Sequence, residues 1–241
     1  HRRAEYSSRS LKMAFKNNVA YCDPSIASDE SAGYVVGSQW YNSESGVLWV
    51  CYDTTKGNAK WAPQSTGYDW PAGAYKLPSY ITQLSDGNPV ANKAYFLPFL
   101  LSRKTTIDKA GISLTTAQAG AKCRIGIYTG VNGAPAFLRK DFGELDLSSG
   151  SGIKELSTGI ALQPGLWFLA SIFNSPATQP TVKRVSGAQM GVVCGGGGDI
   201  TTASAGRYYE ASVTYGVFPN YAPDVVMAIG TEGAAVFLRR Q

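Results

Sequence analysis

Histidine is all but missing from this chain. His1 is the one histidine among 241 residues, at an end expected to be disordered, so Ser-His or Cys-His nucleophilic catalysis and histidine-ligated zinc are nearly excluded. Charge is scarce as well: Asp, Glu, Lys and Arg make up 16% of the chain, against about a quarter in an average globular protein. Cys22, Cys51, Cys123 and Cys194 are too scattered for a disulfide scaffold, and none forms a C-x-x-C pair. Buried free thiols are therefore the expectation, with a Cys22–Cys51 bridge as the alternative. No apolar run approaches the ~18 residues of a membrane span. Leu166-Trp-Phe-Leu-Ala-Ser-Ile-Phe173 has the length of a buried strand. Long stretches with a helical apolar period are missing too.

What the chain does have is glycine, tyrosine and short β-rich runs. With 27 Gly and 14 Tyr and 44% hydrophobic residues, the composition is that of a turn-rich all-β protein with enough apolar mass for a sizeable core. Candidate strands follow one another from Tyr95 to Leu101, Ile107 to Thr115, Ala121 to Tyr128, Phe137 to Leu145, Gly152 to Leu162 and Gly165 to Phe173. Asn132-Gly133, Ser149-Gly150 and Pro164-Gly165 mark turns between them. Ala110, Ile112 and Leu114 alternate with polar or small residues, as do Cys123, Ile125 and Ile127. This predicts strands with one core face and one wet face. The expected fold is all-β: an extended N-terminal arm, a small β-hairpin or meander module, and a C-terminal antiparallel β-sandwich of jelly-roll type.

The domain reading divides the chain into four. Residues 1–20 form a basic arm in which Arg2, Arg3, Arg9, Lys12 and Lys16 face only Glu5. It accounts for much of the net charge of +5 and the pI near 9.0. No aromatic-interleaved basic groove follows it, so an acidic protein surface is the expected partner rather than nucleic acid. The arm lacks the apolar core of a secretory signal, and Met13-Ala-Phe-Lys would make an ordinary initiation site. Residues 1–12 are thus expected to be processed, initiated upstream or introduced by cloning. Residues 21–65 form the hairpin module, in which Asn42-Ser-Glu-Ser-Gly46 splits two β-rich runs and a third strand ends at Trp61. Trp40, Trp49 and Trp61 are too large for so small a unit to cover alone, so packing against further copies of the chain is expected. Residues 66–93, dense in Pro and Gly, read as a connector, and residues 94–241 as the sandwich.

Asp23-Pro24, Gly33-Tyr34, Gly37-Ser38, Trp40, Asn42, Gly46, Trp49, Cys51, Asp53, Gly57, Ala59 and Trp61 together resemble a short module of bacteriophage fibre and spike proteins, over about a sixth of the chain. Phe99 to Arg103, Ile107 to Leu114, Arg124 to Tyr128, Asn132 to Pro135, Leu162 to Trp167 and Val236 to Arg239 resemble, more loosely, the β-sandwich appended to phage tail and head fibres. The resemblance implies a homotrimeric virion surface protein, assembled in the bacterial host cytoplasm. In this arrangement the arm docks on capsid or tail proteins and the sandwich projects toward the host. A fold analogy brings no site with it.

Asp141, Glu144 and Asp146 are the densest carboxylate cluster, as a glycosidase would need. Read as a regular strand, Glu144 and Asp146 share a face with Phe142, and a solvated edge accounts for them without chemistry. Gly195 to Gly198 before Asp199 lacks the lysine and hydroxyl of a phosphate loop. Asp199, Asp224 and Asp141 form no calcium-loop pattern. No cofactor, metal, nucleic acid or membrane insertion is expected. Tyr and Asn in loops suit sugar rings, which lay C–H faces on aromatics. Tyr128, Asn132, Asn220 and Tyr221 are the glycan-binding candidates, with Tyr208, Tyr215 and Phe218 assigned to packing. The expected function is a non-enzymatic fibre or spike that binds host surface polysaccharide. The alternatives are a decoration protein without receptor and a glycan-cleaving tip.

Overall fold

The computed structural model describes residues 15–64, 71–77, 84–185, 207–229 and 233–241. Arg2, Arg3, Arg9, Lys12, Cys194, Gly195 to Gly198 and Asp199 lie outside them. The chain is all-β, with one short 3-10 turn at Glu30–Ala32 and no α-helix among the described residues. It divides into two units, residues 1–66 and 67–241.

The first unit is a four-stranded sheet in the order β1-β2-β3-β4: Asn17–Ala20, Gln39–Asn42, Val47–Asp53 and Lys60–Pro63. The β2–β3 turn is built by its sequence. The Asn42 side-chain oxygen accepts from the backbone N–H groups of Glu44 and Ser45, and Gly46 takes a positive φ of 72°. The sequence reading places β1 in the extended arm, yet it pairs with β2, and in parallel. Parallel neighbours need a crossover, and residues 21–38 supply it.

The second unit is a β-sandwich. One sheet runs β10-β9-β12-β7-β14-β15, formed by β7 Lys93–Leu101, β9 Lys122–Val131, β10 Ala134–Asp146, β12 Gly165–Phe173, β14 Arg207–Ser212 and β15 Val226–Ile229. The other runs β5-β16-β8-β13-β6, with β11 also paired to β8. Its strands are β5 Tyr75–Lys76, β6 Leu84–Gly87, β8 Thr105–Thr116, β11 Gly152–Leu162, β13 Thr181–Val185 and β16 Phe237–Arg240. Between the sheets lies one apolar core that includes Phe99, Ile107, Ile112, Leu114, Ile125, Ile127, Leu169, Phe173 and Leu238. Each such side chain, fully withdrawn from water, contributes about 1.5–3 kcal/mol.

Three features depart from the sequence reading. The segment read as a connector, 66–93, supplies β5 and β6 to the second sheet. The central strands of the first sheet are dry on both faces, because residues 213–225 lie across its outer side. Phe218, Tyr215 and Ala222 pack there with Phe96, Tyr128, Phe168 and Ile172. Strand β10 carries a register shift between Asp141 and Gly143. Gly143, at φ 111°, resets the alternation, so Phe142 and Leu145 are both buried. Glu144 and Asp146 therefore do not share a face with Phe142, as a regular strand would require.

Candidate functional site

The three tryptophans have cover from their own chain. The indole N–H of Trp40 donates to the Cys22 carbonyl at 2.8 Å, that of Trp49 to Asp23 Oδ1 at 2.9 Å and that of Trp61 to the Ser28 carbonyl at 3.1 Å. All three acceptors belong to the crossover, which lays the buried Tyr34 ring edge-on to Trp61 at 5.2 Å and tilted on Trp40 at 5.8 Å. The indoles are half-buried and hold the crossover onto the sheet. Their size therefore does not by itself require another chain. Lys16 is also used locally: its ammonium donates to the Ala32 carbonyl at 2.6 Å and stands 4.2 Å from the Tyr34 ring centre.

Asp29 anchors the far end of the crossover. Its carboxylate accepts from the Gly57 N–H at 2.6 Å and from the Ser31 hydroxyl and N–H. These bonds hold its pKa down at about 2, with Gly57 the largest cause. Asp53 is likewise held at about 2, by the Thr55 hydroxyl and N–H and then by Lys60. No disulfide joins Cys22 and Cys51. Cys22 is an exposed free thiol, against the expectation of burial, while Cys51 and Cys123 are buried and free.

The acidic cluster is committed to structure. Arg124 Nε bonds Asp141 at 2.7 Å, and Asp141 also accepts from the N–H groups of Gly143 and Phe218. Glu144 receives Lys122 at 2.7 Å and the Tyr215 hydroxyl at 2.7 Å, and these two partners, in that order, lower its pKa. Asp146 accepts from the Ser148 N–H at 2.9 Å, and Ser148 likewise lowers its pKa. A glycosidase acid needs a raised pKa, and Glu144 and Asp146 shift the other way. Asp224 is exposed, and the described residues contain no cluster suited to a metal.

The glycan candidates separate. Tyr128 is fully buried, its ring edge-on to Phe96 at 5.3 Å and to Phe218 at 6.0 Å, and its hydroxyl donates to the Pro219 carbonyl at 2.8 Å. It fastens residues 213–225 to the sheet and cannot touch a ligand. Asn132 and Gly133 take positive φ values of 51° and 79°, the pattern of a type I′ hairpin turn, so Asn132 is there to turn the chain. Asn220 and Tyr221 do stand at the surface. Tyr221 pairs by backbone with Phe137 of β10, flanked by the bonds Leu138 N–H to the Asn220 carbonyl and Ala222 N–H to the Ala136 carbonyl. Their rings meet at 5.4 Å, and Phe137 is 51% and Tyr221 69% exposed. Asn132 sits five residues from Phe137 in sequence, at the hairpin tip, and is not part of this pair.

Phe137 is the residue that sequence reading missed. Its outward position in a candidate strand gives no signal, since the pairing with Tyr221 joins residues far apart in sequence.

No protein-family model and no curated protein matches the chain. Among solved structures it is similar to the cysteine protease and lectin-like domains of Cwp84, a surface-layer-associated protein of Clostridium difficile. The identity is 14% and the TM-score 0.41, covering 81% of this chain and 46% of that one. The chain thus spans under half of that protein's matched chain.

Proposed function

We propose that this chain is a non-enzymatic fibre or spike of a bacteriophage particle, attached through its basic N-terminal arm and contacting host surface polysaccharide with the sandwich. The observation that carries the binding part is the exposed Phe137–Tyr221 pair. Two rings held edge-to-face by a backbone bridge give a sugar ring a rigid apolar surface at little entropic cost. Asn220, exposed and next to Tyr221 in the chain, is the candidate hydrogen-bonding neighbour. The virion setting, the location at its surface and the attachment to head or tail rest on the sequence resemblance. Against a cleaving tip stands the engagement of Asp141, Glu144 and Asp146 in ion pairs and turn contacts.

A trimer remains part of the proposal, on a warrant different from the tryptophans. In the first unit, Val19 and Tyr41 are cross-strand neighbours, and Tyr41 lies opposite Leu48. Val19, Tyr41 and Tyr52 are exposed on the sheet face away from the crossover, an apolar surface of the kind that copies cover in one another.

The test of host contact is adsorption of purified protein to host cells. Tyr221→Ala, at an exposed site, is expected to leave the thermal midpoint within about 2 °C and to lower cell binding several-fold. Unchanged binding would remove Tyr221 from the reading.

A further inference from the structure

The register places the Phe137–Tyr221 pair toward one end of the sandwich. The Phe137 N–H donates to Thr129 Oγ1 at 3.1 Å. Thr129 is opposite Trp167, and Gly165, two residues before Trp167, is opposite Leu101. The pair therefore shares this end of its sheet with the β9–β10 hairpin tip and with the loop 102–104 that follows β7.

Charge at this end is not balanced. On β10, Phe137 is followed by Leu138, Arg139 and Lys140. At about 3.3 Å per residue, Arg139 is set about 7 Å along the strand from Phe137, and Lys140 about 10 Å. Arg139 is exposed, and it makes no ion pair or hydrogen bond among the described residues. The Lys140 ammonium donates to the Thr158 carbonyl of β11, a neutral group. Lys104, half-buried in the loop 102–104, is likewise without a carboxylate among the described residues. The anions available to them are few. Asp141 is held by Arg124 and Asp108 by Arg239, which leaves the exposed Asp224, three residues beyond Tyr221. The hairpin tip at 131–135 and residues 162–166 carry no charge at all. At the opposite end of the sandwich the pattern differs: Lys93 is matched by Glu210, Lys122 by Glu144 and Lys183 by Asp86.

An exposed aromatic pair beside uncompensated cations fits a ligand with an apolar ring face and a negative group. The planar guanidinium of Arg139 can fork onto a carboxylate or a phosphate. The rings decide between the two. A carboxylate borne on a sugar ring lets one residue of the polymer satisfy the aromatic pair and Arg139 together, whereas a polyol phosphate chain has no ring to lay on Phe137 and Tyr221. We propose that this surface selects an acidic polysaccharide of the uronic-acid class. One ring rests on Phe137 and Tyr221 with its carboxylate on Arg139, and further carboxylates along the polymer meet Lys140 and Lys104. The assignment rests on the glycan-binding reading of the pair and adds the chemical class of the glycan.

Calorimetric titration of the full chain with oligomers of galacturonan, alginate and hyaluronan, at low salt, tests it. At least one of the three is expected to bind, and to bind about tenfold more weakly once its carboxylates are methyl-esterified or when salt is raised to 0.5 M. Arg139→Gln is expected to weaken binding about tenfold, the scale of one charge-assisted contact. Lys154→Gln, which removes a lysine without a carboxylate partner at the opposite end, is expected to leave binding unchanged and so separates a local site from the overall charge of +5. No binding of any of the three overturns the proposal, as does equal binding of the methyl ester or equal binding by Arg139→Gln. Equal affinity for a polyglycerol phosphate or a single-stranded DNA oligomer would also overturn it, since charge alone would then suffice. Host-cell adsorption lost in Tyr221→Ala but intact in Arg139→Gln would leave the aromatic pair as the glycan site and remove only its acidic specificity.

Discussion

Single carboxylates carry much of the order in the small unit. Asp29 ties the crossover to the turn at Gly57, and Asp53 ties the end of β3 to Thr55 and Lys60. Both pKa values fall from an ordinary 3.8 to about 2 on folding. The folded state then holds fewer protons than the unfolded chain, so this contribution is complete above about pH 4 and is lost as the pH falls toward 2. Near-ultraviolet circular dichroism, to which the Tyr34, Trp40 and Trp61 cluster contributes, is expected to lose intensity over that window. The loss in an Asp29→Asn protein is expected to begin already at neutral pH. A tryptophan signal flat from pH 7 to 2 would contradict the anchoring role. Asp29 could not be picked from the sequence, because its partner Gly57 is 28 positions away and an Asp-x-Ser pattern is common in turns.

Among the elements, the cover strip at residues 213–225 does what no strand pattern announces. Phe96, Phe168, Ala170 and Ile172 sit on the outer face of their sheet, and an antiparallel sheet normally leaves one face to water. Here Phe218, Tyr215 and Ala222 cover that face, and Tyr128 fixes the strip through Pro219. Phe218→Ala is expected to cost about 3–5 kcal/mol, the usual penalty for emptying a buried ring site, read as a shift of the urea midpoint. A cost below about 1 kcal/mol would mean the strip packs without it. The near-continuous apolar runs of β7 and β12 did carry this information, since a strand wet on one face alternates. The bulge at Gly143 was hidden for the opposite reason. It inserts one residue into an ordinary alternation, and only the partner strand reveals the shift.

For the whole molecule, the proposal of a trimer can be separated from the packing of the indoles. The aromatic cluster is internal to the first unit, whereas Tyr41 and Tyr52 on the open face are available to other copies. Mass measurement in solution is expected to give three copies for the unaltered chain and a smaller species for Tyr52→Asp, with tryptophan circular dichroism retained in both. A monomer in the unaltered protein would end the trimer reading. The sequence by itself determined the all-β class, the strand positions from Tyr95 to Phe173, and the Asn42–Gly46 and Asn132-Gly133 turns. These follow from local residue type and a period of two. Only the tertiary structure decided that Tyr128 is core, that Tyr221 meets Phe137, and that the tryptophans are held by the crossover. Each depends on which strands become neighbours. That choice is made by burial and hydrogen bonding between residues far apart in the chain, which no local pattern encodes.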